Sequence, residues 1–398
     1  MTAHSEDAPT SVRFRHETID PNPPCGRLGI CLPTDLTGNG RPDLIVGGMG
    51  ATEIPVPVLV RVLGRGVSRN ASYLGPLLKR LETTLFWYEN PGWKRHELSE
   101  TPDLYLFGNT VGDVNGNGRA DLIAGQGLRA HDVYWFEQPA DPREPWSEHL
   151  VTSDFEKYHD LAFADLDNDG DPELVGLSQE SEAIFYYDVP DNPYRTPWPE
   201  SHRHLIATNT DVEGVEIVDI DGDGKTEVIA GTSVFRQPAN SDEPWEREAI
   251  TTGWDWTRVA VADLDDDGDL EVVFSEGDSP LLGSRPGRVA WFDPPEWDEH
   301  LLREDLFCPH TLQIADFNGN GRPDIYVAEM AHGQHDDPKH LVYANRGNGE
   351  FEEHVVARGI ETHEAKAIDL TGNGRPDIAG KSYTPDHHVD VWYNELRS

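Results

Sequence analysis

Lysine, cysteine and long apolar runs are what this chain has least of. Of its 32 basic residues only 7 are Lys, set against 73 acids, and the formal net charge is -41 over 398 residues. A surface of that sign repels nucleic acid and anionic lipid, which excludes both as partners. Three cysteines, Cys25, Cys31 and Cys308, give no even disulfide framework. No stretch has the length and apolarity of a membrane span, and residues 1–10 are polar and acidic rather than a secretory leader. The expectation is a cytoplasmic protein with a short disordered tail at 1–10. Strong charge often means disorder, but 11 Trp and recurring apolar runs argue for a packed core.

What the chain does contain is one acidic motif, seven times. Each copy has Asp at position 1, Asn or Asp at position 5, Gly at position 6 and an acid at position 9. The copies run from Asp35 to Asp43, Asp113 to Asp121, Asp165 to Glu173, Asp219 to Glu227, Asp263 to Glu271, Asp316 to Asp324 and Asp369 to Asp377. Their starts are 78, 52, 54, 44, 53 and 53 residues apart. A period near 50 residues means a propeller or solenoid, because one such unit cannot bury its own apolar face.

Each unit reads as four short strands. Apolar runs such as 161–164 and 174–177 flank the motif. A third run is aromatic, as at Trp87, Trp135, Phe185, Trp291 and Trp392, and a fourth is charged, with His96, His149, His204, His300 or His354 beside apolar residues. Short β-prone runs cut by Gly, Pro and Asp turns are strands. Four strands in each of seven units predict an all-β, seven-bladed β-propeller over 11–398, with an insertion at 50–84 in the first blade. The last unit lacks its fourth strand, while residues 14–19 form an orphan of the right type with His16. The N-terminal segment is therefore expected to pair into the last blade and close the ring, removing a free sheet edge.

These motifs resemble the FG-GAP/VCBS-type propellers, the repeat class also found in integrin α-subunit heads, over roughly residues 11–396. The acidic, lysine-poor composition resembles that of proteins from salt-loving archaea, in which high salt screens self-repulsion. Three motif copies put carboxylates at positions 1, 3, 5 and 9: Asp165, Asp167, Asp169 and Glu173; Asp219, Asp221, Asp223 and Glu227; Asp263, Asp265, Asp267 and Glu271. Several oxygens converging round a tight Gly turn suit a hard cation such as Ca²⁺ in a structural role. The bland reading is a turn held by Asp and Asn side chains.

A catalytic site needs residues that break the repeat. Six positions before each motif Asp stand Gly29, Phe107, His159, Glu213, Thr257, His310 and His363. The resemblance implies that this register lies at the channel mouth, opposite the acidic loops. His159, Glu213, His310 and His363 are then candidate ligands for Zn²⁺, Mn²⁺ or Fe²⁺. Arg258 and Arg129 are candidates to bind substrate oxygens, Tyr383, His387 and Lys381 to move protons, and Trp254 and Trp256 to stack on sugar rings. The pattern is similar to aldos-2-ulose dehydratase and to the propeller-type polysaccharide lyases. That resemblance implies metal-assisted β-elimination on a keto-sugar or a small uronate-containing saccharide. The alternative is a non-catalytic propeller that binds a protein or glycan, with calcium only structural; metal-dependent hydrolysis is a third reading.

Overall fold

The structure, a computed structural model, describes residues 12–25, 27–49, 85–99, 101, 104–127, 130–238 and 243–396. The tail at 1–10, the insertion at 50–84 and Arg129 lie outside the described residues. The N-terminal strand is β1 (Phe14–Asp20). Blade 1 is β2 (Arg27–Thr34), β3 (Asp43–Met49), β4 (Leu85–Glu89) and β5 (Lys94–Glu97). Blade 2 is β6 (Leu106–Gly112), β7 (Asp121–Gln126), β8 (Val133–Glu137) and β9 (Ser147–Thr152). Blade 3 is β10 (Tyr158–Ala164), β11 (Glu173–Ser178), β12 (Ala183–Asp188) and β13 (Arg203–Thr208). Blade 4 is β14 (Val215–Val218), β15 (Glu227–Ala230), β16 (Ser233–Arg236) and β17 (Glu246–Ala249). Blade 5 is β18 (Thr257–Ala262), β19 (Glu271–Glu276), β20 (Gly287–Asp293) and β21 (Asp298–Leu306). Blade 6 is β22 (Thr311–Ala315), β23 (Asp324–Ala328), β24 (Lys339–Asn345) and β25 (Phe351–Arg358). Blade 7 is β26 (Glu364–Ile368), β27 (Asp377–Lys381) and β28 (Val389–Asn394), completed by β1.

The ring closes as expected. β1 pairs antiparallel with β28 from Phe14 opposite Asn394 to Asp20 opposite Val389. The innermost strands touch in the cyclic order β2, β6, β10, β14, β18, β22, β26 and back to β2. Every acidic loop joins an innermost strand to the second strand of its blade, so all seven loops share one face. The opposite face carries the innermost strands' starts. No helix among the described residues is long and apolar enough to cross a membrane.

Burial explains the sequence pattern. Second strands such as β11 and β19 are buried along their whole length, whereas β21 is mostly exposed. Each pair of neighbouring blades shares an apolar cluster; Ile30 and Trp87 of blade 1 pack with Leu106 and Phe136 of blade 2, and Tyr326 of blade 6 with Trp392 of blade 7. Stability thus belongs to interfaces between blades rather than to single blades. The outer-strand histidines serve the same packing. His96, His149, His204 and His300 each stack on the third-strand aromatic directly opposite, at 4.6, 4.3, 4.6 and 3.8 Å between ring centres.

One tie between blades has no counterpart in the sequence-based reading. The residue at or just past the end of the third strand donates a side-chain amide to the carbonyl at position 2 of the preceding blade's acidic loop. Asn90 donates to Leu370, Gln138 to Leu36, Asn345 to Leu264 and Asn394 to Phe317, each at 2.8 Å, and Gln237 to Leu166. Blades 3 and 5 carry Val189 and Pro294 at this position and have no such amide. Asn345→Ala removes two donated bonds, to Leu264 and Pro323. We expect a loss of about 1–3 kcal/mol, read from denaturant unfolding, because a buried carbonyl loses its donor.

Candidate metal centre at the channel mouth

The side chains at the mouth are aimed by irregular backbone. Gly29, Phe107 and His159 fall where the pairing register of β2, β6 and β10 slips, and such a bulge turns a side chain out of the regular pleat. Glu213, His310 and His363 stand just before β14, β22 and β26. Gly29 is required by packing, since a Cβ there would lie 1.8 Å from the Leu106 carbonyl oxygen. Gly277 makes room for the site, since its Cβ would lie 2.9 Å from Glu213 Oε1 and 3.3 Å from His310 Cδ2.

His159, Glu213 and His310 come together, with one ligand atom from each lying within 4.8 Å of the others. The tautomers follow from their neighbours. His159 Nδ1 lies 2.9 Å from the Glu213 carbonyl oxygen, and His310 Nδ1 lies 2.7 Å from that of His363. A carbonyl only accepts, so each Nδ1 carries the proton and each Nε2 is left for the site. Burial pushes His310 down to about 4 and His159 well below its ordinary value, with Arg258 adding to both, so both rings are neutral. Burial pushes Glu213 up to about 7. His310 Nε2 stands 2.9 Å from Glu213 Oε1, yet both Glu213 oxygens are buried without a hydrogen-bond partner. Asp278 Oδ1, 4.0 Å from His310 Nε2, is the next acid and rises to about 6 through burial. Two Nε2 lone pairs facing an unsatisfied carboxylate fit a divalent cation, with each Nδ1 locked by an outer hydrogen bond.

His363 takes a different place from the expected ligand role. Its ring stacks on His310 at 4.1 Å and on Tyr383 at 4.4 Å, and its Nδ1 lies 2.5 Å from Lys381 Nζ. Its ring nitrogens are outside the ligand group, because Lys381 holds one and stacking fixes the ring plane. Lys381 is fully buried, donates to the Leu28 carbonyl at 2.7 Å, and falls to about 8 because burial disfavours the ammonium. Tyr383 shares a 2.8 Å hydrogen bond with Tyr105. Arg258 donates to the Glu213 carbonyl at 3.2 Å and stands 3.7 Å from Asp160. His387 is not brought to this group; its Nε2 faces Asn22 Oδ1 at 3.0 Å. Trp254 does not face a sugar site, because it is buried against Phe292 with Arg288 over its ring at 3.9 Å. Tyr105, Phe107, Cys308, Met330 and Tyr383 form a buried apolar cluster, with Phe107 5.9 Å from the His159 ring. The three cysteines are unpaired and buried.

The acidic loops divide by their ninth residue. In the Asp-ended loops both oxygens are used by backbone N–H groups: Asp43 accepts from Leu36 and Asn90, Asp121 from Val114 and Gln138, Asp324 from Phe317 and Asn345, and Asp377 from Leu370 and Asn394. In the Glu-ended loops one oxygen accepts from Leu166, Ile220 or Leu264. Ligand oxygens then cluster within 4.8 Å in three sets: Asp165, Asp167 and Glu173; Asp219, Asp221 and Glu227; Asp263, Asp265 and Glu271. Glu271 Oε1 and Asp165 Oδ1 are buried and unpartnered. Asp169, Asp223 and Asp267 each accept the N–H two residues on, from Asp171, Lys225 and Asp269, and Asp267 also clusters with Asp265 and Asp293. These sets have the donor chemistry of a Ca²⁺ loop. Ca²⁺ is expected to raise the melting temperature of the native chain, and Asp219→Ala to shrink that rise; the same change at Asp316 is expected to leave the rise intact. Equal Ca²⁺ responses in all three proteins would exclude a cation role for the Asp219 loop.

A ring of four-stranded blades round a polar mouth defines the class, a seven-bladed β-propeller. The family model described as "FG-GAP-like repeat" matches residues 113–176, 219–274 and 313–380, so the chain is similar to FG-GAP-like repeats over those three segments. No curated protein matches the chain. Among solved structures, the V. cholerae biofilm matrix protein Bap1 is similar, at 10% identity over 96% of this chain and 70% of that chain, with a TM-score of 0.42.

Proposed function

We propose that the chain is a metal-assisted carbon–oxygen lyase acting by β-elimination on a keto-sugar or small uronate-containing saccharide. The observation that carries this reading is Glu213, whose two buried, unpartnered oxygens sit beside the Nε2 lone pairs of His159 and His310. A buried carboxylate without donors is costly unless it serves as a ligand. His159, Glu213 and His310 would hold a Zn²⁺, Mn²⁺ or Fe²⁺ ion, which as a Lewis acid stabilises negative charge growing on a carbonyl oxygen.

The chain's own residues supply the remaining chemistry. Lys381, near neutrality at about 8, can take a proton on Nζ from the carbon beside the carbonyl or carboxylate. The electrons of that C–H bond become the new C=C bond, the next C–O bond breaks, and the departing oxygen takes a proton. His363, within hydrogen-bond reach of Lys381 and stacked on Tyr383, links the amine to the mouth and can relay protons. Arg258 holds the Glu213 backbone from the next blade. Phe107, clustered with Tyr105 and Met330, lies 5.9 Å from the His159 ring and makes that side of the site apolar.

Metal analysis of the purified protein, paired with mass-detected turnover of keto-sugars and uronate oligosaccharides, tests this reading. One transition metal per chain and an unsaturated product are expected. Calcium alone, with no product from any sugar, would leave the second reading, a non-catalytic protein- or glycan-binding propeller, which the three Glu-ended loops support. The proposed cytoplasmic setting rests on three unpaired cysteines, and the surface adapted to salt rests on the -41 charge.

A further inference from the structure

Arg27, at the start of β2, is a half-buried guanidinium in a chain with 73 acids, yet it pairs with none of them among the described residues. Its Nε is buried without a hydrogen-bond partner. Its guanidinium carbon stands 5.1 Å from the Tyr383 ring centre, and its charge acts on the hydroxyls of Tyr105 and Tyr383. Those phenols are no counter-ions, because burial holds Tyr105 well above its ordinary value and raises Tyr383 too, leaving both neutral. Arg27 hydrogen-bonds both phenols, and one phenol donates to the other at 2.8 Å, which leaves one phenolic O–H and the Arg27 Nε as donors with no anion among the described residues. A carboxylate accepts such a set, with the guanidinium able to give two parallel bonds.

The place of this set matters as much as its chemistry. Tyr383 stacks on His363, which stacks on His310 of the proposed metal centre. Lys381 Nζ lies 5.6 Å from the same Tyr383 ring. A carboxylate on Arg27 would therefore share the Tyr383 ring with the amine, two ring stacks from His310. Neutralising a carboxylate makes the proton on its α-carbon more acidic, which is what elimination requires.

We propose that Arg27, Tyr105 and Tyr383 form the subsite that binds the carboxylate of a uronate, so the substrate is an acidic sugar rather than a neutral keto-sugar. This rests on the proposed function for the sugar and the reaction, and on the Arg27 geometry alone for the anion. Binding of D-galacturonate, its methyl ester and galactose 6-phosphate to the full chain, measured calorimetrically at constant chloride, tests it. Galacturonate is expected to bind at least about tenfold tighter than the ester, the loss expected when a charge-assisted pair becomes neutral. Arg27→Gln should bring galacturonate down to the ester's affinity, and Tyr383→Phe, which keeps the ring, should weaken only the two anions. Arg27→Gln should keep the native metal content, which separates this subsite from the metal reading. Equal binding of acid and ester by the native protein, or unchanged galacturonate binding in folded Arg27→Gln, would overturn the subsite. Tighter binding of galactose 6-phosphate than of galacturonate would overturn the carboxylate assignment. Where Arg27→Gln fails to fold, the native comparison and Tyr383→Phe decide.

Discussion

Deleting residues 1–20 should unfold the ring under conditions in which deleting 1–10 leaves it intact. The longer deletion removes β1, leaving the edge of β28 without its ladder partner. It also uncovers Trp392, against which His16 packs at 5.0 Å, and strips donors from Asp390, which takes a 2.8 Å bond from His16 and a 2.7 Å bond from Thr18. Each lost ladder or buried bond is worth about 1 kcal/mol net, so the total is on the order of 5 kcal/mol or more. That is comparable to the roughly 5–15 kcal/mol by which domains are stable. Asp390 adds a pH signature. Despite burial, bonds from His16, His388 and Thr18 hold it down at about 2. A carboxyl depressed on folding contributes stability above its unfolded value of about 4, and this is lost as pH falls from about 4 toward 2. The full chain should show this loss, and the 1–20 deletion should show a smaller one. Equal melting curves for the two deletions in high salt would refute closure by β1.

Glu213→Gln and His310→Ala should each empty the proposed metal centre. An amide cannot supply the charge of the carboxylate, and alanine supplies no donor. Loss of an outer-shell partner alone costs about 10–100-fold in metal affinity or activity, so loss of a direct ligand should exceed 100-fold. His363→Ala should behave differently. Its nitrogens are outside the ligand group and one is held by Lys381, so the metal should remain while turnover collapses. His149→Ala is the matched control, since His149 stacks on Trp135 at the outer rim, and it should keep both. Native metal content in Glu213→Gln and His310→Ala, read with circular dichroism on the same samples, would refute the ligand assignment.

The fold was open to reading from the sequence because its signals recur. An acidic loop, an aromatic third strand and a charged fourth strand repeat seven times, and the orphan at 14–19 fits the one gap. The site was only partly legible. The shared register before each motif pointed to His159, Glu213 and His310, which do converge. The same register pointed equally to His363, because spacing cannot show that Lys381 captures its nitrogen or that Tyr383 and His310 clamp its ring. His387 looked alike in sequence, but its loop turns it toward Asn22. Arg27 carried no signal at all, since an arginine reveals its lack of a carboxylate partner only in three dimensions. The division of the loops by Asp or Glu at position 9 was present in the sequence, but its meaning lies in backbone N–H groups from another strand.

The amide ties described above also partition the ring mechanically. Val189 and Pro294 leave two seams, one between blades 2 and 3 and one between blades 4 and 5, with Gln237 still joining blades 3 and 4. The circle is thus a two-blade arc set into a five-blade arc. His159 and Glu213 ride on the short arc, while His310 and Arg258 ride on the long one. Any ion shared by those three ligands would staple the arcs to each other, and the Arg258 bond to the Glu213 carbonyl already crosses one seam. Breathing of the ring, followed by amide exchange at β10 and β18, would then report directly on whether the mouth is loaded.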